Sequence, residues 1–128
     1  MGLTEFVRGF NSARYFDAHE LLEEVWSSIP RDQPLRRHLQ GMVQLAVAFH
    51  HQSTGNYVGA RSVLERALRN LQGAERSFPA LDLDLLRAEV APWREFFDGC
   101  LTAEPKNPAG RTNHRAKIPP LPKIMPRG

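Results

Sequence analysis

The stretch Tyr15-Phe16-Asp17-Ala18-His19-Glu20-Leu21-Leu22-Glu23-Glu24-Val25-Trp26 decides the fold, because its apolar residues recur at helical spacing and its skeleton occurs twice. The pattern Tyr-x-x-Ala-x-x-x-Leu-Glu, formed by Tyr15, Ala18, Leu22 and Glu23, returns 42 residues later as Tyr57, Ala60, Leu64 and Glu65. Self-similarity at such a period is the mark of helical-hairpin units, reminiscent of tetratricopeptide repeats but without their full signature. The two copies differ where a site can lie: His19 against Arg61, and Trp26 against Leu68.

Working outward, hydrophobic spacing predicts helices over residues 3–10, 15–28, 34–53, 57–71 and 83–101. Asn11, Pro30 with Pro34, Gly55-Asn56, and Gly73 with Pro79 punctuate them. The fold class that follows is all-α, an antiparallel helical bundle built from two helical-hairpin repeats plus a C-terminal helix. In the second helix Tyr15, Ala18, Leu21, Leu22, Val25, Trp26 and Ile29 gather on one arc. The fourth repeats this with Tyr57, Ala60, Val63, Leu64, Ala67, Leu68 and Leu71. Ala18 and Ala60 sit where a small side chain admits a partner helix closely. The third helix is apolar nearly all round, which predicts a central, buried element. On it, His50 projects beside Leu39, Val43 and Ala46 and is expected to be buried. Two local readings remain awkward. Leu81-Asp82-Leu83-Asp84-Leu85 alternates like a strand that has nothing to pair with, and Pro92 should break or kink the last helix or start a new one.

The 128 residues suffice for one domain, expected over 1–103. Residues 104–128 form a Pro-rich basic tail, either disordered or docked. They hold six basic residues against Glu104 alone, while the first 103 residues have eleven basic and thirteen acidic. Basicity confined to a tail, without aromatics interleaved on a folded face, argues against a nucleic-acid partner. The single Cys100 leaves no internal disulfide, and no signal peptide or membrane span is visible, so a cytoplasmic protein with no membrane partner is expected.

Candidate chemistry concentrates on the second helix. His19 and Glu23 are four apart, and His19 and Trp26 seven apart, so they share one edge with Glu20 further toward solvent. The preferred reading is a binding or interaction module with a polar pocket around His19, Glu23 and His50, able to take a small polar ligand. Glu20, Trp26, Gln44 and Asn56 complete the candidate ligand-binding set. The alternative is a small metal-assisted hydrolase using the same residues. His19, Glu23 and His50 are then the metal candidates, but His-Glu-x-x-Glu lacks the second histidine of a zinc-protease helix, so neither a metal nor another cofactor is expected. A plain structural polar network at the helix interface competes with both. An incompletely covered helical repeat also leaves an apolar face open, which predicts a homo-oligomer, most simply a homodimer.

Taken together, Phe10-Asn11, Tyr15-x-x-x-His19-Glu20-x-x-Glu23-x-x-Trp26, the run Leu39-Gln40-Gly41-Met42-Val43-Gln44-Leu45-Ala46-Val47-Ala48-Phe49-His50, and Gly55-Asn56 with Gly59-Ala60 resemble the bacterial and archaeal helical proteins of domain of unknown function family 309. The resemblance covers residues 10–71 and implies an all-α bundle of small intracellular proteins. Its shared polar positions fall on His19, Glu20, Glu23, Gln44, His50 and Asn56. It implies no activity.

Overall fold

A computed structural model describes residues 2–102 and 118–128. Five helices follow one another: α1 (Gly2–Asn11), α2 (Tyr15–Ser27), α3 (Pro34–Ser53), α4 (Tyr57–Asn70) and α5 (Leu83–Thr102), with one 3-10 turn at Ala74–Arg76. No strand occurs among the described residues, and the chain is an all-α bundle of helical hairpins. The starts of two helices follow from local chemistry. Pro34 occupies the first turn of α3, where its missing N–H costs nothing. Asn56 caps α4, its Oδ1 accepting from the Gly59 N–H at 3.0 Å.

α3 is the central element. It packs on α2 and on α4, α1 packs on α2, and α4 on α5. Its buried set is Leu39, Met42, Val43, Leu45, Ala46, Ala48 and Phe49, together with Gly41 and one polar residue, His38. The α3–α4 approach depends on Gly41: a Cβ there would lie 2.8 Å from Leu71 Cγ and 3.1 Å from the Ala67 carbonyl oxygen. Ala18 and Ala60 are fully buried, and a Cβ on Gly9 of α1 would meet that of Ala18 at 3.3 Å. An aromatic row runs through the core, with Phe10 against Tyr15 and Phe49, and Phe49 edge-on to Trp93 at 5.4 Å.

Three expectations are corrected. Leu21, placed on the buried arc of α2, is 45% exposed: Tyr15, Ala18 and Leu22 face the core instead, and the stripe is narrower than its composition suggests. His50 is only half-buried, because the last turn of α3 emerges beside Phe16; the buried histidine of that helix is His38. Of the alternatives at Pro92, a break and a new helix start are excluded, since α5 runs through it. Leu86 and Val90 before it, and Trp93 and Phe97 after it, all enter the core, so packing on both sides holds the element together against the lost hydrogen bond.

Residues 118–128 lie along the body. Ile124 is buried, and Asn11 grips its backbone twice, donating to its carbonyl at 2.8 Å and accepting from its N–H at 2.7 Å. Trp93 Nε1 donates to the Pro120 carbonyl at 2.9 Å. Leu81 makes an isolated antiparallel bridge with Pro126, flanked by bonds from the Asp82 N–H to the Met125 carbonyl and from the Arg127 N–H to the Ala80 carbonyl. The alternation at Leu81–Leu85 therefore has a pairing partner at its first residue and becomes helix from Leu83 onward. The earlier part of the Pro-rich stretch, 104–117, lies outside the described residues.

Candidate functional site

On the outer edge of α2 and α3, Phe16 stands between two imidazoles. Its ring is edge-on to His19 at 4.9 Å and tilted against His50 at 5.4 Å, and the residue is 49% exposed. Helical spacing explains one half of this, since His19 lies one turn beyond Phe16 on α2. The packing of α3 on α2 brings His50 to the other side. His19 Nδ1 meets the Phe16 carbonyl at 2.6 Å and so carries the proton as donor. Its Nε2 is left facing Glu23, whose carboxylate is 3.7 Å away and largely exposed. His50 contacts the rings of Phe16 and His51.

The other candidate residues go elsewhere. Glu20 is exposed on α2. Asn56 stays within its own turn, capping α4 and approaching His51 Nδ1 at 3.4 Å. Gln44 turns toward α4, its Oε1 accepting from Asn70 Nδ2 at 2.8 Å. Trp26 lies at the far end of α2, in a different cleft. Among the described residues, no group of three His, Cys, Asp or Glu side chains is arranged to hold a metal ion. The half-buried Cys100 thiol is pushed up from its ordinary pKa by burial, which disfavours the nucleophilic thiolate.

Residues 3–63 match the model of a family described as a domain of unknown function, DUF309. That segment belongs to the DUF309 family. It spans α1 to α3 and the first half of α4, and so contains Phe16, His19, Glu23 and His50. Among curated proteins, the uncharacterized protein YpuF of Bacillus subtilis (strain 168) is 36% identical over 81 residues, 62% of this chain and 46% of its own length. An uncharacterized protein of Aquifex aeolicus (strain VF5) is 28% identical over 86 residues, 67% of this chain and 26% of its own. The chain thus spans less than half the length of either relative. No helix among the described residues is long and apolar enough to cross a membrane.

Sequence reading did not assemble two features that lie away from the histidine edge. The first is His38, 2% exposed, whose Nδ1 lies 2.6 Å from Ser77 Oγ and whose Nε2 lies 3.4 Å from Arg37 Nη2. The guanidinium can only donate toward Nε2, whereas the Ser77 hydroxyl can donate to or accept from Nδ1. Burial first, and the Arg37 charge second, lower its pKa below the ordinary imidazole value. The second is a cleft of about 460 Å³ lined by Trp26, Arg31, Arg36, Arg37, Gln40 and Asn70. The pairing of adjacent Arg36 and Arg37 with a Trp on the facing helix was the available signal, but their convergence depends on the 28–33 loop.

Proposed function

We propose that this chain is a binding and interaction module, and that the α2–α3 edge around His19, Glu23 and His50 is its recognition surface. The observation that supports this reading is Phe16, a half-exposed aromatic ring with an imidazole on either side. A flat apolar group can stack there, while His19 Nε2 and the Glu23 carboxylate offer an acceptor and a charge beside it. Glu20 extends the polar rim, and Gln44 and Asn56 contribute only through the helix contacts that hold the edge. Such a mixture of exposed aromatic and polar groups also suits a protein surface, and with it a cytoplasmic homodimer.

A panel of small polar aromatic fragments, followed by NMR of the imidazole protons, tests the reading. Hits should perturb His19 and His50 together and disappear in Phe16→Ala; hits that survive this substitution would sink it. The hydrolase alternative is separated by metal analysis of protein purified without chelator or histidine tag. Stoichiometric zinc, manganese or iron that is lost in His19→Ala would reverse the preference. Light scattering at micromolar concentration counts the copies, and a monomer there rejects the homodimer.

A further inference from the structure

The cleft at the far end of α2 contains three guanidiniums and no carboxylate among its lining residues, which are Trp26, Arg31, Arg36, Arg37, Gln40 and Asn70. Three arginines elsewhere in the described residues are paired with carboxylates, Arg61 with Asp98, Arg87 with Glu75 and Arg94 with Glu65, so what sets the cleft apart is the convergence of its three. In the cleft, Arg36 and Arg37 are held only by neutral groups. Arg36 Nη1 donates to the Ile29 carbonyl at 2.6 Å, and its guanidinium lies over the Trp26 ring, 4.6 Å from the centroid. Arg37 donates to the carbonyls of Arg69, Asn70 and Gln72 at 3.1, 3.3 and 3.1 Å, closing the end of α4. Those contacts fix both planes in space while spending part of each five-donor fork and little of its charge. Arg31 makes no ion pair with any described residue. The Trp26 indole N–H is buried and has no hydrogen-bond partner among the described residues.

We propose that this cleft is a binding site for a small phosphorylated metabolite, with Arg31, Arg36 and Arg37 taking the phosphoryl group and the amides of Gln40 and Asn70 taking hydroxyls. The argument rests on charge, size and preorganisation. Converging positive charge with no carboxylate in the lining attracts an anion, and planar forks match phosphoryl oxygens two at a time. The volume is that of a site for a small organic molecule, well beyond what one inorganic ion fills. Two of the three arginines are already anchored, so little side-chain freedom is lost on binding. His38 touches one of these arginines, Arg37: its protonation is disfavoured by burial first and by Arg37 second, with the Gln72 backbone and Glu75 opposing.

Calorimetry on the full chain with ribose 5-phosphate, ribose, inorganic phosphate and a short single-stranded RNA, at constant ionic strength, tests this. Ribose 5-phosphate should bind with a dissociation constant below about 1 mM, tighter than inorganic phosphate, and ribose should not bind. Arg31→Ala, which removes an exposed side chain that makes no ion pair with a described residue, should weaken binding about tenfold, the loss expected for a hydrogen-bonded charge partner. Gln40→Glu, nearly isosteric, should abolish it. Bound ribose 5-phosphate should also raise the His38 titration midpoint in imidazole NMR, since the phosphate offsets Arg37. The proposal is overturned if the sugar phosphate does not bind, if both variants bind it like the wild type, if inorganic phosphate binds equally well, or if the RNA binds more tightly than the sugar phosphate.

Discussion

The two tryptophans of this chain stand in opposite environments. Trp93 is fully buried, touches the rings of Phe49, Phe96 and Phe97, and gives its N–H to the Pro120 carbonyl. Trp26 is half-buried, lies under Arg36, and its N–H has no partner among the described residues. One indole is completely accommodated by its own chain, and the other is accommodated only on one face. A folded domain leaves few buried donors unpaired, so this contrast separates a structural region, where α5 and residues 118–128 close over the core, from a region open to something else. The DUF309 segment includes Trp26 and ends well before Trp93.

The largest effect expected from that contrast is at the structural end. Trp93→Ala removes the biggest fully buried side chain, leaves a cavity among three aromatic rings, and frees the Pro120 carbonyl. A loss of about 3–5 kcal/mol in unfolding free energy is expected by urea denaturation. If the variant were nearly as stable as the wild type, α5 and the 118–128 segment would not be the closed side of the molecule.

Gly41→Ala comes next. The new methyl would sit 2.8 Å from Leu71 Cγ and 3.1 Å from the Ala67 backbone oxygen, forcing α3 and α4 apart. Overpacking of this kind costs about 1–3 kcal/mol, and the better helix propensity of alanine returns less than about 1 kcal/mol. Net destabilisation in a thermal melt checks it; a more stable variant would show that the helices can separate freely.

How much of this was legible beforehand varies with the range of the interaction. The five helices are set by local periodicity and by caps such as Pro34 and Asn56, and these were read within a residue or two. The burial of Ala18 and Ala60 followed from the repeated pattern. His19 with Glu23 is an i,i+4 pair and therefore visible in one dimension. Phe16 was not singled out, because its position between two imidazoles requires knowing how α3 crosses α2. His38 was missed because its partner Ser77 is 39 residues away in an irregular segment. The Asn11 grip on Ile124 spans 113 residues, a distance at which no spacing rule operates. Gln44 was legible as a candidate polar residue of α3, but its partner Asn70 lies 26 residues further on, across the α3–α4 packing, where no local spacing rule operates.

His38 provides a pH test of the open side. Its pKa in the folded protein lies below the ordinary value of 6.5, by burial first and by Arg37 second. The unfolded chain therefore takes up this proton at higher pH than the folded chain. The contribution is fully present above about pH 6.5 and is lost progressively as pH falls toward the folded value. Urea midpoints measured from about pH 7.5 down to about pH 5 should fall for the wild type, and fall less for His38→Gln, whose remaining histidines are common to both. Parallel curves would mean that His38 is exposed to water more than its position between Arg37 and Ser77 indicates.

The smallest expected change sharpens the contrast most. Trp26→Phe shortens a half-buried side chain and weakens the stack under Arg36, a loss of about 0.5–1 kcal/mol for the cation–π contact. Against this, it deletes a buried N–H that has no protein partner, relieving a desolvation penalty of about 1–3 kcal/mol. The two terms oppose each other, so stability should stay within about 1 kcal/mol of the wild type or rise slightly. The equivalent Trp93→Phe has no such relief, since it strands the Pro120 carbonyl, and must cost more. Parallel chemical denaturation of the two variants makes the comparison directly. Equal losses would mean that the Trp26 N–H is already satisfied in solution, by water or by a bound solute, and that the open end of α2 is as complete as the closed end of α5.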